Sequence, residues 1–295
     1  METEVLGFAG NNLKLLKLNS DKEIVFAGET DLGFNINDLS YIKKNRDEIL
    51  NIFPEKLNEL INFENLQETT AGVVIDSSLT FLNVIPVDFD EDTSSINSSI
   101  LWELSNYFPD NYKDFNVRYY KLGKNPVSKN IDEILIIAVD KTKINFIINL
   151  CNNSGLKIKN VEIDQFAVEK YIKEKYRNEF SNGIIFLSGF KSGRIDFSLL
   201  EKGKIKCFDY SRTDKSGYVN AFRKLLNSFK TNSGFHIPEK IFIYGDEILS
   251  DLKNILNDEF GESKITVLSP FKDNNVLSEP SSFAPLYGLA LKNAS

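Results

Sequence analysis

The sequence predicts an α/β protein made of two similar halves, with a separate subdomain inserted in the chain between them. A pattern of strand, glycine-containing loop, strand, tight turn and strand occurs twice, over residues 5–28 and again over residues 183–208. A block of alternating strands and amphipathic helices, residues 80–163, lies between the two copies. The length of 295 residues leaves room for about two domains of ~100–200 residues each.

The composition excludes several classes of protein. Hydrophobic residues make up 42% and charged residues 26% of the chain, as in an ordinary soluble domain. The net charge is −7 and the basic residues are scattered, so nucleic acid is not an expected partner. The acidic first residues are unlike a secretory signal, and no apolar run approaches the ~18–20 residues that cross a bilayer. Two distant cysteines and a single histidine give no metal-binding spacing and favour a reducing, cytoplasmic compartment.

In the first half, the repeated strands precede one long helical segment and one strand. Residues 37–61 carry apolar side chains at helical spacing, with Asn37 and Asp38 as candidate N-caps. Pro54 predicts an interruption of this helix, because proline lacks the backbone N–H that the helix needs. Residues 71–76 then form an apolar run that predicts a buried strand.

The block that follows predicts a compact β-α-β-β-α-β subdomain over residues 80–163. The acidic run from Asp88 to Asp92 has no calcium-loop spacing and predicts a solvated linker inside it. The block's predicted strands and helices cover residues 79–87, 96–108, 115–122, 131–139, 144–151 and 156–163.

The second half begins with a helix and then repeats the three-strand unit. After the second unit, apolar spacing predicts a helix, a strand, a helix, a strand and a terminal helix. We therefore expect three parts: residues 1–79, the inserted subdomain 80–163, and residues 164–295. The predicted elements outside the repeated unit cover residues 164–180, 218–229, 240–245, 248–260, 264–268 and 285–291.

Four stretches of the chain resemble a known family. The most specific is Trp102-Glu103 followed by Tyr107-Phe108-Pro109, which stands after the strand ending at Pro86. The others are residues 151–167, 241–246 and 285–291. Together they resemble the PilM family of type IV pilus proteins, which belongs to the actin-like ATPase superfamily and is related to FtsA. The resemblance implies an actin-like (ribonuclease H-like) duplicated α/β fold.

The resemblance also implies where a nucleotide would bind. Actin-like sites use two glycine loops whose backbone N–H groups face the phosphates, with an aspartate beside each loop that holds magnesium. Here Phe8 and Leu187 stand at the two aspartate positions, and Gly245-Asp246 replaces a glycine pair. We therefore expect a degenerate site with no catalytic residue, no metal and no cofactor. If nucleotide binding survives, the residues that remain for it are Gly10, Asn11, Asn12, Gly189 and Gly245.

Two alternatives stay open. If the alignment is shifted by one or two residues, Asp76 or Asp196 would anchor magnesium in a working Mg-ATP-dependent ATPase. Without that shift, we expect Asp196 to be an outward position on a half-exposed strand. An FtsA-like filament-forming protein is the second alternative, although the polar tail after Leu291 is unlike a membrane-targeting helix.

The resemblance finally implies a partner. PilM proteins bind the short cytoplasmic N-terminal peptide of the membrane protein PilN, in a groove between the first half and the inserted subdomain. Contact with the inner membrane would then be indirect, and pilus ATPases are further partners that the resemblance suggests. Core packing is the alternative role for Trp102. The residues expected to line or support the groove are Leu82, Val84, Ile85, Trp102, Tyr107 and Phe108.

Overall fold

The computed structural model describes residues 2–60, 70–88, 93–124, 131–233, 238–246, 248, 250–261, 264–271 and 279–294. Backbone contacts divide the chain into two compact units. The first unit contains residues 1–79, 142–176 and 269–295, and the second contains residues 80–141 and 177–268. The three-part division at residues 79 and 163 remains a prediction about domains.

The strands follow the predicted order. In chain order they are β1 (Thr3–Ala9), β2 (Asn12–Leu18), β3 (Ile24–Asp31), β4 (Thr70–Ile75), β5 (Phe81–Val87), β6 (Phe115–Lys124), β7 (Asp132–Asp140), β8 (Lys157–Ile163), β9 (Ile184–Lys191), β10 (Arg194–Glu201), β11 (Lys204–Arg212), β12 (Lys240–Gly245) and β13 (Ile265–Val267).

The helices lie between these strands. In chain order they are α1 (Leu39–Lys44), α2 (Arg46–Leu60), α3 (Thr93–Tyr107), α4 (Lys141–Asn153), α5 (Asp164–Lys175), α6 (Arg177–Asn182), α7 (Tyr218–Ser233), α8 (Ser250–Phe260) and α9 (Ala284–Asn293). Among the described residues, none of these helices is both long and apolar enough to cross a membrane.

The first unit is built on a five-stranded sheet in the order β3-β2-β1-β4-β8. Strands β1 to β3 form an antiparallel meander, whereas β4 runs parallel to β1 and β8 runs parallel to β4. Helix α9 is buried along nearly its whole length and packs on β1, β4 and α5. A side chain at Gly288 would collide with the Ala167 carbonyl, so the two helix backbones are in close contact.

The second unit contains two sheets. One has five strands in the order β11-β10-β9-β12-β13 and repeats the antiparallel three-strand unit of the first. Helices α7 and α8 pack on it through a core of aromatic and aliphatic residues, in which the Phe186 and Phe197 rings meet edge to face at 4.9 Å. The other sheet has three strands in the order β5-β7-β6, and α3 packs on one of its faces.

The predicted β-α-β-β-α-β order is present, but its strands do not form one sheet. Strands β5 and β6 each pair with β7, while β8 pairs with β4 in the sheet of the first unit. Helix α4 and strand β8 also belong to the first unit by their contacts. The sequence predicts that β8 is a strand, but its pairing with β4, in which Lys157 lies opposite Thr70, leaves no local pattern.

Two helix predictions also need correction. The helix predicted at residues 37–61 breaks at Asn45 rather than at Pro54, which lies inside α2. Asp38 caps α1 as expected, because its carboxylate accepts a hydrogen bond from the Tyr41 backbone N–H. The helix predicted at residues 164–180 is two helices, since α5 ends at Lys175 and α6 begins at Arg177.

A partly buried acid on α5, Glu169, makes the stability of the first unit depend on pH. Burial raises the pKa of Glu169 from 4.5 to about 8. A carboxyl group with a raised pKa in the folded state binds its proton more tightly there, so its favourable contribution is complete below pH 4.5 and is lost as the pH rises towards 8. We expect Glu169→Gln, which cannot ionise, to become more stable relative to the wild type between about pH 5 and pH 8 in urea denaturation.

The exposed Glu174 lies on the same helix and provides the control. Glu174→Gln should follow the wild-type pH profile. If the profiles of Glu169→Gln and the wild type run parallel, the raised pKa of Glu169 is wrong.

Candidate functional site

The first candidate loop is a two-residue turn between β1 and β2. Gly10 adopts a φ of +57°, which favours glycine, and Asn11 and Asn12 are exposed. The backbone carbonyls of this turn accept hydrogen bonds from residues that follow β3. The Gly10 oxygen accepts from the Ile36 N–H at 2.9 Å, and the Asn11 oxygen accepts from the Leu32 N–H at 2.7 Å. The turn therefore has a fixed backbone and two solvated amide side chains.

The position beside this turn, where the resemblance expects an aspartate, is part of the apolar core. The Phe8 ring is buried and stacks on Phe53 of α2 with centroids 6.0 Å apart. Asp76, which the shifted alignment would use instead, caps a short 3-10 turn, because its Oδ1 accepts from the Ser78 N–H at 2.6 Å. Near this loop, the Asp76 carboxylate thus has a structural hydrogen bond. The position where the resemblance expects an aspartate holds the Phe8 ring.

The second candidate loop is a two-residue turn between β9 and β10, and Gly189 is not part of it. Gly189 lies inside β9, paired with Asp196 on β10 and with Tyr244 on β12, and the turn falls at Ser192-Gly193. A Cβ at Gly189 would lie 2.6 Å from atoms of the Tyr244 ring. This glycine therefore makes room for an aromatic ring. Leu187, at the second aspartate position, is fully buried.

The backbone conformation at the end of β12 explains why residue 245 is a glycine. Its φ is +124°, and a Cβ there would lie 1.9 Å from the Phe190 carbonyl oxygen. A side chain would collide with the neighbouring strand, so only glycine fits.

Asp196 is not the outward, half-exposed position that the sequence predicts. It is fully buried, and its carboxylate forms ion pairs with Lys191 and with Arg194, whose Nε lies 2.7 Å from Oδ1. Phe8 and Leu187 offer no oxygen to a metal, and this carboxylate is engaged by two cations. Across the described part of the chain, no group of three or more His, Cys, Asp or Glu side chains could hold a metal ion. His236 and residues 89–92 lie outside the described residues.

A groove of about 520 Å³ runs between helix α3 and the edge strand β5. Trp102 stands at this groove with 67% of its surface exposed, so the core-packing alternative is wrong for this side chain. The helix is joined to the strand beneath it, because the Asn83 side-chain amide donates to the Glu103 carboxylate at 2.6 Å. The groove is lined by Val84, Ile85, Pro86, Ser98, Ser99, Trp102 and Glu103.

The other predicted groove residues lie elsewhere. Tyr107 and Phe108 join Phe81 in an aromatic cluster at the end of α3, with centroids 4.9 Å and 5.4 Å from the Phe81 ring. Leu82 is buried and is absent from the core between α3 and the sheet, where its neighbour Phe81 packs. Of the six predicted residues, Val84, Ile85 and Trp102 line the groove, and the other three are not among its lining residues.

A second groove, about 240 Å³ in volume, was not predicted from the sequence. It lies between α1 and α4, with Ile42 and Phe146 as buried apolar side chains and the exposed cations Lys43 and Arg46 beside them. The basic residues after Ile42 were the one sequence signal for this groove. The sequence alone does not predict that α4 packs next to α1. Its lining residues are Leu39, Ile42, Lys43, Arg46, Thr142, Asn145, Phe146 and Asn149.

The repeated three-strand units define the class of protein as actin-like, and solved structures agree. The structure is similar to the PilM-PilN type IV pilus biogenesis complex, with a TM-score of 0.72 and 13% identity over 100% of this chain and 99% of that chain. A Bacteroides thetaiotaomicron protein with an actin-like ATPase fold matches with a TM-score of 0.56 and 14% identity, over 98% of this chain and 95% of that chain.

A secretion protein has the same fold. The cytoplasmic domain of EpsL, an inner-membrane component of the type II secretion system of Vibrio cholerae, matches with a TM-score of 0.56 and 9% identity, over 100% of this chain and 96% of that chain. No curated protein matches the chain by sequence. Residues 11–277 match the family described as type IV pilus assembly protein PilM, and the chain belongs to that family. The predicted resemblance to the PilM family and the predicted actin-like fold are confirmed.

The packing at Gly189 gives a direct test of why this glycine is there. We expect Gly189→Ala to lower the free energy of unfolding by about 1–3 kcal/mol in urea denaturation, because the methyl group would overlap the Tyr244 ring. Gly10→Asn is the control: its φ is +57° with open space around the Cβ position, and asparagine tolerates this conformation. A Gly189→Ala protein as stable as the wild type would contradict the packing role.

Proposed function

We propose that this protein is a cytoplasmic scaffold of a type IV pilus or related secretion machine, which binds the short cytoplasmic tail of an inner-membrane, PilN-like protein. The observation that carries the proposal is the exposed Trp102 beside an apolar groove and an edge strand, in a chain of the PilM family. A large aromatic side chain left in solvent beside such a groove is typical of a binding surface.

The groove suits an extended apolar peptide. Among the described residues, β5 pairs with β7 alone, so its outer edge can offer main-chain hydrogen bonds to an added strand. Pro86 removes one donor from that edge and limits the added strand to the part before it. A few buried apolar anchors beside Trp102 supply the ~8 kcal/mol that a micromolar complex needs.

We propose further that Mg-ATP-dependent activity is lost. The positions of both metal-holding aspartates carry the buried side chains Phe8 and Leu187. Gly189 and Gly245 are each required by packing or backbone contact in the folded chain, so their presence is no sign of phosphate binding. The protein would then be a rigid adaptor at the inner membrane, held there through its partner.

Titration of a labelled tail peptide tests the main proposal. We expect the N-terminal cytoplasmic peptide of a PilN-like protein from the same organism to bind with micromolar affinity, measured by fluorescence anisotropy. Trp102→Ala should weaken binding about tenfold, the equivalent of ~1.4 kcal/mol, because it removes the largest exposed anchor. Leu101→Ala is the matched control, since Leu101 is exposed on the same helix but lines a different groove against β6. Absence of binding at high micromolar peptide would contradict the proposal.

The groove between α1 and α4 provides a second arm of this experiment. Lys43→Glu combined with Arg46→Glu reverses both lining cations, and Lys44→Glu, an exposed lysine outside the lining, is its control. We expect peptide affinity to be unchanged in both. Loss of affinity in the double variant, with Trp102→Ala unaffected, would move the tail to the α1–α4 groove and show that the assignment to Trp102 is wrong.

A nucleotide titration tests the second proposal. With fluorescent ATP and magnesium we expect no binding that depends on the metal, because the two positions that match the magnesium-holding aspartates carry Phe8 and Leu187. Micromolar affinity that is abolished by a chelator would establish an active site instead. Sedimentation with nucleotide examines the FtsA-like alternative, and we expect no pelleted filaments.

A further inference from the structure

The groove beside Trp102 contains one charged side chain, and that side chain is an acid. Of the described residues that line the groove, only Glu103 is charged, whereas the strand side consists of the apolar residues Val84, Ile85 and Pro86. Glu103 is half-buried, so part of its surface remains open to a ligand. A peptide that enters the groove therefore meets a carboxylate next to apolar surface.

Asn83 fixes the position of this carboxylate. The Asn83 side-chain amide donates to Glu103 Oε1 at 2.6 Å, which is the only hydrogen bond of the Glu103 side chain within the described part of the chain. The second oxygen, Oε2, can accept from a ligand. Because the bond also joins α3 to β5, the acid is held in place before a ligand binds, which reduces the entropy lost on binding.

The spacing along α3 brings an aromatic ring to the same groove. Ser98 and Trp102 are four residues apart, and so are Ser99 and Glu103, so each pair lies on one row of the helix surface. Helical side chains lean towards the N-terminus of the helix, so the indole and the carboxylate lean towards the two serines. Small side chains at these two positions leave room for a ligand beside the ring and the acid.

A cation suits such a site. The face of an indole ring attracts an ammonium or guanidinium group, and a carboxylate forms a charge-assisted hydrogen bond with it. Lysine and arginine also carry an aliphatic stem, which can pack on the apolar strand side while the charged end reaches the acid. Cytoplasmic segments beside membrane-spanning helices are rich in these two residues, so the tail of an inner-membrane partner would supply them.

We propose that Trp102 and Glu103 form a subsite that selects a lysine or arginine side chain of the bound tail. The inference rests on the proposed function and adds the chemistry that the tail must carry, which is a cation flanked by apolar residues. Glu103 determines the specificity because it pairs with the cation, and Trp102 contributes the aromatic face. A neutral residue at the same place in the tail would leave the Glu103 carboxylate without this partner.

Two synthetic peptides test the subsite independently of the tail. One is acetyl-Leu-Arg-Leu-amide, and the other carries citrulline, a neutral isostere of arginine, at its centre. Trp102 is the only tryptophan of the sequence, so a change in its fluorescence reports binding at this groove. We expect the full chain to bind the arginine peptide about fivefold more tightly than the citrulline peptide.

Glu103→Gln removes the charge but keeps an oxygen that can accept from Asn83. It should abolish the preference for the arginine peptide. Asp110→Asn is the matched control, because Asp110 is exposed, follows α3 and lies outside the groove lining, and it should keep the preference. If Glu103→Gln does not fold, added sodium chloride takes its place. Salt should then weaken binding of the arginine peptide to the wild type and leave binding of the citrulline peptide unchanged.

The subsite is wrong if the wild type binds neither peptide or binds both equally. It is also wrong if Glu103→Gln keeps the preference, or if Asp110→Asn loses it. Failure of the proposed function is a separate result, read from the tail peptide. Tail binding that depends on Trp102, without a preference for arginine, overturns the subsite alone. A preference for arginine without tail binding supports the subsite and contradicts the proposed scaffold function.

Discussion

Apolar packing at the two repeated hairpins is the constraint on which the rest of this account depends. At the first hairpin the Phe8 ring stacks on Phe53, and at the second Leu187 is fully buried. A carboxylate buried at either position would lose its hydration and would have only apolar neighbours. Burying an unpaired charge in this way is strongly unfavourable. The side chains at these two positions therefore stabilise the sheets through apolar packing.

The surface that the proposed function uses is built on helix α3. Helix α3 covers one face of the β5-β7-β6 sheet with Ile96, Ile100 and Leu104, and this leaves Trp102 on its outer side. The same helix is fixed to the edge strand by the bond between Asn83 and Glu103. A groove built on such paired elements keeps its shape before a partner arrives, which reduces the entropy lost on binding.

The order of elements, the duplication and the family could be predicted from the sequence, because periodicity and turn residues are local signals. Contacts between distant segments could not be predicted. The pairing of β8 with β4, the burial of Asp196 under two cations and the α1–α4 groove all depend on contacts between residues far apart in the chain or on opposite strands.

One crystal structure would test the central claim, that a groove beside Trp102 has taken the role which a metal-bound nucleotide has in active relatives of this fold. Crystals would be grown with ATP, magnesium and the tail peptide together. We predict density for the peptide along β5 against Trp102, and no hydrated magnesium ion bridging ATP to the protein. ATP with its hydrated magnesium ion held by the two hairpins, and an empty Trp102 groove, would contradict the account.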